Sequence, residues 1–138
     1  MITDMPMPNG IGFSPDGKTL YVSNTGPAFI RAYDVAKDDT LSNERVFFQW
    51  DLHPSTPLAG APDGLKIDVE GNLWATGPGG VNVITPQGKL LGRLQGPGHT
   101  SNLAFGGPDG RTVFVTGGQF VYRVKTLVRG ETPLYAVK

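Results

Sequence analysis

The chain has 138 residues and no cysteine, and its twelve basic and twelve acidic residues give a formal net charge of zero. This length allows one domain with a modest core, the lack of cysteine excludes disulfides and thiolate metal sites, and the scattered charge argues against nucleic-acid binding. No apolar run approaches the roughly 18 residues of a membrane helix, residues 1–7 do not resemble a secretion signal, and a content of 20 Gly and 12 Pro without a helical pattern favours an all-β fold.

The first part of the chain, about residues 8–50, predicts one sheet of four antiparallel strands. A Pro15-Asp16-Gly17 turn joins the first two strands, and a polar stretch at residues 37–43 separates the last two. The predicted strands are residues 11–14, 19–24, 29–35 and 45–50. A loop rich in proline and small residues, residues 51–61, then crosses to the next unit.

A second unit, about residues 61–94, has the same order. Leu65, Ile67 and Val69 alternate with polar residues, which predicts a strand with one apolar face. A Glu70-Gly71-Asn72 turn returns the chain into the second strand. The further predicted strands are residues 73–76, 80–85 and 90–94.

A third unit, about residues 100–124, has three predicted strands, which are residues 103–105, 112–116 and 120–124. Its fourth strand is either missing or supplied by the tail at residues 125–138. Within that tail, residues 134–137 have the pattern of a short strand.

These units are repeats of one another. Ile11, Leu65 and Leu103 occupy corresponding positions, 54 and 38 residues apart, and Asn9, Asp63 and Ser101 correspond at the start of each first strand. Several short strands repeating at about 40–50 residues predict a β-propeller of four-stranded blades. Three blades do not close a ring, so we expect residues 1–138 to be a partial propeller domain. A start directly before a blade's first strand favours a fragment.

The repeats also resemble a known family. The runs PNGIGFSPDGKTLYVSN, PDGLKIDVEGNLWATGPGG and TSNLAFGGPDGRTVFVTG are similar to the C-terminal half of the gluconolactonase, senescence marker protein (regucalcin) and luciferin-regenerating enzyme-like family. The resemblance implies a six-bladed propeller, of which about three blades are present here. It also implies one divalent cation in the central channel, calcium first, with zinc or manganese as alternatives, and hydrolysis of sugar lactones.

The resemblance assigns roles to two residues. Asn9 matches the family's asparagine metal ligand, and Asp63 matches an aspartate ligand that also serves as the catalytic base. The family's glutamate ligand, a further asparagine and a substrate-binding arginine lie in the N-terminal half and have no counterpart here. Asn24 stands where relatives usually carry aspartate, which reduces negative charge near the site. We therefore expect weak metal binding and little or no lactonase activity from this chain alone.

The chemistry is consistent with this assignment, because a hard divalent cation prefers carboxylate and amide oxygen ligands. An Asn or Asp before glycine is, however, usually a turn residue that bonds its own backbone. We assign Asn24, His99 and Asn102 to the substrate pocket, with loop structure as the alternative for Asn102. His53 and His99 lie in loops between units, and Ser101 lacks the partners of a serine nucleophile.

The predicted function is thus metal-dependent hydrolysis of a sugar lactone. One alternative is a non-catalytic propeller that binds calcium or a protein, and another is a related esterase or phosphotriesterase. The predicted partners are a small lactone or ester, and either a missing N-terminal half or another copy of the chain, with no nucleic acid or membrane. The compartment stays open, with the cytoplasm favoured.

Overall fold

The computed structural model describes residues 2–52, 58–96 and 98–131, and every regular element in this part of the chain is a β-strand. The strands are β1 Pro8–Phe13, β2 Thr19–Asn24, β3 Phe29–Val35, β4 Leu41–Gln49, β5 Leu65–Ile67, β6 Leu73–Gly77, β7 Gly80–Ile84, β8 Leu90–Leu94, β9 Thr100–Gly106, β10 Thr112–Gly117 and β11 Phe120–Lys125. The all-β class predicted from the sequence is confirmed.

The strands form three antiparallel sheets in chain order. The first sheet has the order β1-β2-β3-β4, the second β5-β6-β7-β8, and the third β9-β10-β11 in the described residues. Neighbouring strands in each sheet are also neighbours in sequence, because short turns join them. The short strand predicted at residues 134–137 lies outside the described residues.

Two apolar clusters join the sheets. Tyr21, Ile30 and Ala32 of the first sheet pack against the second sheet, whose contribution is Leu65, Ile67, Leu73, Ala75 and Ile84. Trp74 and Val81 of the second sheet pack against Leu103, Val113 and Val115 of the third. Burying these side chains between sheets is the main favourable term that holds the three units together. Each sheet therefore stabilises its neighbour in the chain.

The outer strand of the first sheet is longer than its sequence pattern predicts. β4 begins at Leu41, whereas the polar stretch at residues 37–43 predicts a turn. The turn is confined to residues 36–40, where the Ala36 amide donates a hydrogen bond to the Thr40 carbonyl. Register shifts in the pairing with β3, and a positive φ of 50° at Asn43, show that this strand is irregular. Polar residues are tolerated because they lie on an exposed outer strand.

The predicted alternation of the second unit ends after Ile67. Val69 is 39% exposed, while Asp68 is completely buried, so the predicted inward and outward faces are exchanged at these two residues. The chain already turns at Asp68, whose backbone amide bonds the Asn72 carbonyl. A strand period does not apply within a turn, which is why the pattern failed here.

A segment after β11 returns to the second sheet. Gly130 pairs with Asp68, the Val69 amide bonds the Arg129 carbonyl, and the Glu131 amide bonds the Ile67 carbonyl. These bonds occupy the edge of β5 that no other strand covers in the described residues. The final residues of the described chain thus tie the third sheet to the second.

Aspartates in the first and third hairpin turns bind backbone amides. Asp16 accepts hydrogen bonds from the Ser14 hydroxyl and the Lys18 amide, which hold its pKa below the ordinary value of 3.8. In the third sheet, the Arg111 amide and the Lys125 ammonium likewise lower the pKa of Asp109. Both carboxylates therefore act by fixing the backbone of their hairpin turns.

We expect these turns to make the fold less stable in acid. A depressed folded-state pKa adds stability that is present above pH 3.8 and is lost as the pH falls through the folded pKa. The midpoint of urea unfolding should therefore fall more steeply below that pH in the wild type than in an Asp16→Asn, Asp109→Asn double variant. Parallel curves for the two proteins would contradict the assignment.

The described part of the chain has no helix of the length and apolar character required to span a membrane.

Candidate active site

The three sheets place the starts of their first strands side by side. The Gly10 amide donates to the Asp63 carbonyl at 3.0 Å, and the Gly64 amide donates to the Ser101 carbonyl at 2.9 Å. Asn9, Asp63 and Ser101, which the repeat aligns, are therefore brought to one end of the assembly. Asn9 and Asp63 are 54 positions apart in sequence, and a hydrogen bond from Gly10, the neighbour of Asn9, joins their two strand starts.

Hydroxyl groups on the second strands reinforce both junctions. The Ser23 hydroxyl donates to the Asp63 carbonyl at 2.7 Å, and the Thr76 hydroxyl donates to the Ser101 carbonyl at 3.1 Å. Ser23 and Thr76 are completely buried and lie at equivalent positions of β2 and β6. The backbone at each strand start is therefore fixed by an amide and a hydroxyl of the preceding sheet.

Asn9 presents its side chain at the exposed start of β1. Its Nδ2 donates to the Thr25 hydroxyl at 3.3 Å, and this hydroxyl in turn donates to the Pro62 carbonyl at 2.8 Å. Thr25 thus links Asn9 to the residue before Asp63. No described residue donates a hydrogen bond to Oδ1 of Asn9, so this oxygen can accept from a ligand or bind a cation.

Asp63 lies half-buried beside Asn9, two residues before β5. Its backbone carbonyl accepts the bonds from Gly10 and Ser23, which fix the main chain. Its carboxylate accepts no hydrogen bond from any residue that the structure describes. The main chain of Asp63 is therefore held, while both carboxylate oxygens stay available for a cation or a water molecule.

The donor set fits a hard cation only in part. The Asn9 amide oxygen and the Asp63 carboxylate are oxygen donors of the type that calcium prefers. Calcium takes about six to eight oxygen ligands, however. Across residues 2–52, 58–96 and 98–131, no group of three or more His, Cys, Asp or Glu side chains is placed to hold a metal ion. These two residues would contribute to a site and would not complete it.

Asn24 has a different environment from the one its sequence position suggested. It is fully buried, its Oδ1 accepts from the Met7 amide at 2.8 Å, and its Nδ2 donates to the Pro27 carbonyl at 2.8 Å. Both ends of the amide therefore hold neighbouring backbone in place. Contact with substrate stays a prediction.

His99 and Asn102 flank the start of the third sheet. Exposed His99 lies beside Gly60, where a Cβ atom would be 3.4 Å from its Nδ1. Exposed Asn102 places its amide against Gly64, and its Oδ1 accepts from the Leu103 amide at 2.8 Å. Both residues lie close to the Asp63 loop. Their role in a substrate pocket stays a prediction. His53 lies outside the described residues.

The hydroxyls that position the site could not be recognised from the sequence pattern. Ser23 and Thr76 each follow an apolar pair in the second strand of a repeat, and Thr116 occupies the same position in the third. A hydroxyl residue at a fixed place in all three repeats was the available signal. Its meaning depends on the carbonyl of the next sheet, which local patterns do not identify.

Comparisons with known proteins agree with this architecture. The chain is 38% identical over 128 residues to a gluconolactonase of Zymomonas mobilis, a match that covers 89% of this chain and 36% of that protein. Among solved structures, a gluconolactonase of Xanthomonas campestris aligns with a TM-score of 0.77 and 36% identity, covering 90% of this chain and 39% of that one. Regucalcin of Agrobacterium tumefaciens, described as a calcium-binding protein, aligns with a TM-score of 0.78 and 28% identity. This alignment covers 97% of this chain and 51% of that one.

The chain thus spans between about a third and a half of the length of the relatives it matches. A model of the SMP-30/Gluconolactonase/LRE-like region matches residues 1–119, which confirms the resemblance found in the sequence. The chain belongs to the SMP-30/gluconolactonase/LRE-like family.

Proposed function

We propose that this chain forms part of a metal-dependent hydrolase of sugar lactones, with its three sheets serving as blades of a β-propeller. The observation that best supports this proposal is that the first sheet bonds the second next to both candidate ligands. The Gly10 amide, beside Asn9, and the Ser23 hydroxyl both donate to the Asp63 carbonyl. The similarity of this chain to two gluconolactonases supports a lactone as the substrate class.

In this proposal, the Asn9 amide oxygen and the Asp63 carboxylate contribute two ligands to a divalent cation, for which calcium is the first candidate. The bound cation would polarise the lactone carbonyl and stabilise negative charge on its oxygen. Asp63 would in addition orient water and accept its proton, as a general base does. His99 and Asn102 would contact the sugar hydroxyls beside the Asp63 loop.

We expect the remaining protein ligands to come from outside the described residues, because two protein oxygen donors leave most of a calcium coordination shell to be filled. They would be supplied either by an N-terminal half or by another copy of the chain. We therefore expect weak cation binding and little or no turnover of gluconolactone by the chain alone.

The test combines calorimetric titration with calcium, zinc and manganese and a pH-indicator assay on gluconolactone. Asp63→Asn should abolish the weak cation binding, because it removes the only negative ligand. Any turnover should fall by at least about 100-fold, as expected for loss of a general base. Glu70→Gln is the matched control, since it removes one exposed carboxylate from the far end of the same hairpin.

Unchanged cation binding in Asp63→Asn would contradict the assignment of the site. Cation binding without turnover, even when the site is complete, would favour the alternative of a calcium-binding propeller. Turnover of a simple ester or phosphotriester in preference to gluconolactone would favour the alternative of a related esterase or phosphotriesterase.

A further inference from the structure

A cavity lies between the first and second sheets, at the end of the sheets opposite to the candidate active site. Its volume is about 490 Å³. Pockets that bind small molecules have volumes of roughly 300–1,000 Å³. Its walls are the turn after β1, the turn after β5, the turn after β7 and parts of β2 and β4. The cavity is thus formed where two sheets meet, and it is separate from Asn9 and Asp63.

Tyr21 brings a buried polar group to this cavity. The residue is 5% exposed and lines the cavity, and its hydroxyl makes no hydrogen bond with any residue that the structure describes. Burial raises the pKa of Tyr21, with Arg45 opposing this shift and Asp16 adding to it. The hydroxyl therefore stays protonated at neutral pH, and it can donate one hydrogen bond and accept others.

The repeat shows why this hydroxyl has no partner. Trp74 holds the position of Tyr21 in the second sheet, and its Nε1 donates to the buried carboxylate of Asp68 at 2.9 Å. In the first sheet, Ser14 stands at the position of Asp68, and its hydroxyl donates to Asp16 at 2.6 Å. The first sheet therefore lacks the internal partner that the second sheet gives to its polar ring, and a buried polar group without a partner is costly. A bound molecule could supply that partner.

The charge around the cavity favours a cation. Asp16 and Glu70 both line the cavity, and both are exposed. The hydrogen bond from the Ser14 hydroxyl is the main cause that lowers the pKa of Asp16, so this carboxylate is ionised at neutral pH. Arg45 also lines the cavity, but its guanidinium is paired with Asp34 at 2.8 Å, which offsets its charge. The net charge of the lining is therefore negative.

The other walls of the cavity are aromatic and apolar. The rings of Tyr21 and Phe47 meet edge to face with their centroids 4.8 Å apart, and Pro15, Val69 and Pro86 complete the lining. Aromatic faces attract organic cations, whereas a metal ion needs several oxygen ligands. In the part of the chain that the structure describes, no group of three or more His, Cys, Asp or Glu side chains could hold a metal ion. The lining thus favours an organic cation.

We propose that this cavity binds a small organic amine in its protonated form, with the apolar part of the molecule against the Tyr21 and Phe47 rings. The ammonium group donates to the Tyr21 hydroxyl and to Oδ2 of Asp16. This oxygen is available, because Oδ1 of Asp16 accepts the bonds from Ser14 and Lys18. Charge-assisted hydrogen bonds of this kind are the strong ones. The inference rests on the cavity between the sheets and does not require the proposed lactonase function.

Titration of the isotope-labelled chain with phenylethylamine, followed by the NMR shifts of its backbone amides, tests the proposal. The shifts should saturate, and they should be confined to the turns at residues 14–19 and 69–71 and to the adjoining parts of β2 and β4. Phenylethanol has the same carbon skeleton and no charge. It should bind at least about 10-fold more weakly, because it forms no charge-assisted hydrogen bond.

Two variants locate the ammonium group. Tyr21→Phe removes only the hydroxyl, so it should weaken amine binding by about 10-fold and leave the urea midpoint unchanged. Asp16→Asn should weaken amine binding by a similar factor of about 10. Asp109→Asn is the matched control, because Asp109 is the turn aspartate of the corresponding hairpin in the third sheet and lies away from the cavity. Asp109→Asn and Asp63→Asn should both bind the amine as tightly as the wild type does.

Circular dichroism of each variant would show that the sheets are retained. The proposal is overturned by a wild type that gives no saturable shifts at tens of millimolar phenylethylamine, or whose shifts lie away from the two turns. It is also overturned by a Tyr21→Phe protein that binds the amine as tightly as the wild type. Equal binding of phenylethanol would overturn it as well, because the cavity would then select the ring and not the charge.

Discussion

Replacing Asp68 with alanine should destabilise the fold by about 3–4 kcal/mol, because buried donors would lose their acceptor. Asp68 is completely buried, and its Oδ1 accepts from the Glu70 and Asn72 amides at 3.0 and 2.9 Å. Its Oδ2 accepts from Nε1 of Trp74 at 2.9 Å. Trp74 packs between the second and third sheets, so the loss should extend from the turn to that junction.

Urea unfolding followed by tryptophan fluorescence and circular dichroism, at one fixed protein concentration, measures this effect. Asp109→Ala is the matched control, because Asp109 is also a turn aspartate that accepts a backbone amide, from Arg111, but is exposed. Its midpoint should move far less than that of Asp68→Ala. Equal shifts in the two variants would contradict the role assigned to the buried carboxylate.

Replacing Gly10 with alanine should cost about 3 kcal/mol, at the upper end of the usual range for overpacking. A Cβ atom at this position would collide with the Asp63 carbonyl oxygen and would lie 2.9 Å from the Leu65 amide nitrogen and 3.0 Å from the Ser23 hydroxyl. Two of these three atoms belong to backbone, which cannot rotate away. The first and second sheets must therefore separate where the strand starts after Asn9 and Asp63 are joined.

Gly92→Ala provides the control within a strand. No atom lies within 4 Å of a Cβ at Gly92, and Gly costs about 0.5–1 kcal/mol relative to Ala in a strand. This variant should therefore be as stable as the wild type or slightly more stable. A Gly10→Ala protein with an unchanged urea midpoint would show that the junction tolerates separation, and that it does not fix the site.

Much of the fold could be predicted from the sequence because strand patterns are local. The bounds of β2, β3 and β8 agree with the predicted ones, since their alternation and flanking turns lie within a few residues. The repeat also aligned Asn9, Asp63 and Ser101, and the structure brings their strand starts together. The family itself could be recognised from these same runs of residues.

The environment of individual polar side chains could not be predicted in this way. Asn24 looked like a pocket residue, and its amide bonds Met7 and Pro27, which are separated from it by a strand and by a turn. Ser23 and Thr76 looked like ordinary strand residues, and their hydroxyls hold the next sheet. Such partners depend on how sheets pack.

The sequence by itself determined the three repeated sheets, their turns and the family, because hydrophobic period and turn chemistry act over neighbouring residues. Only the tertiary structure decided that Asp68 is buried beneath Trp74, that hydroxyls join successive sheets, and that Ile11, Phe13, Phe114 and Val121 are exposed. Those properties arise from contacts between residues that are distant in the chain, and no local pattern encodes them.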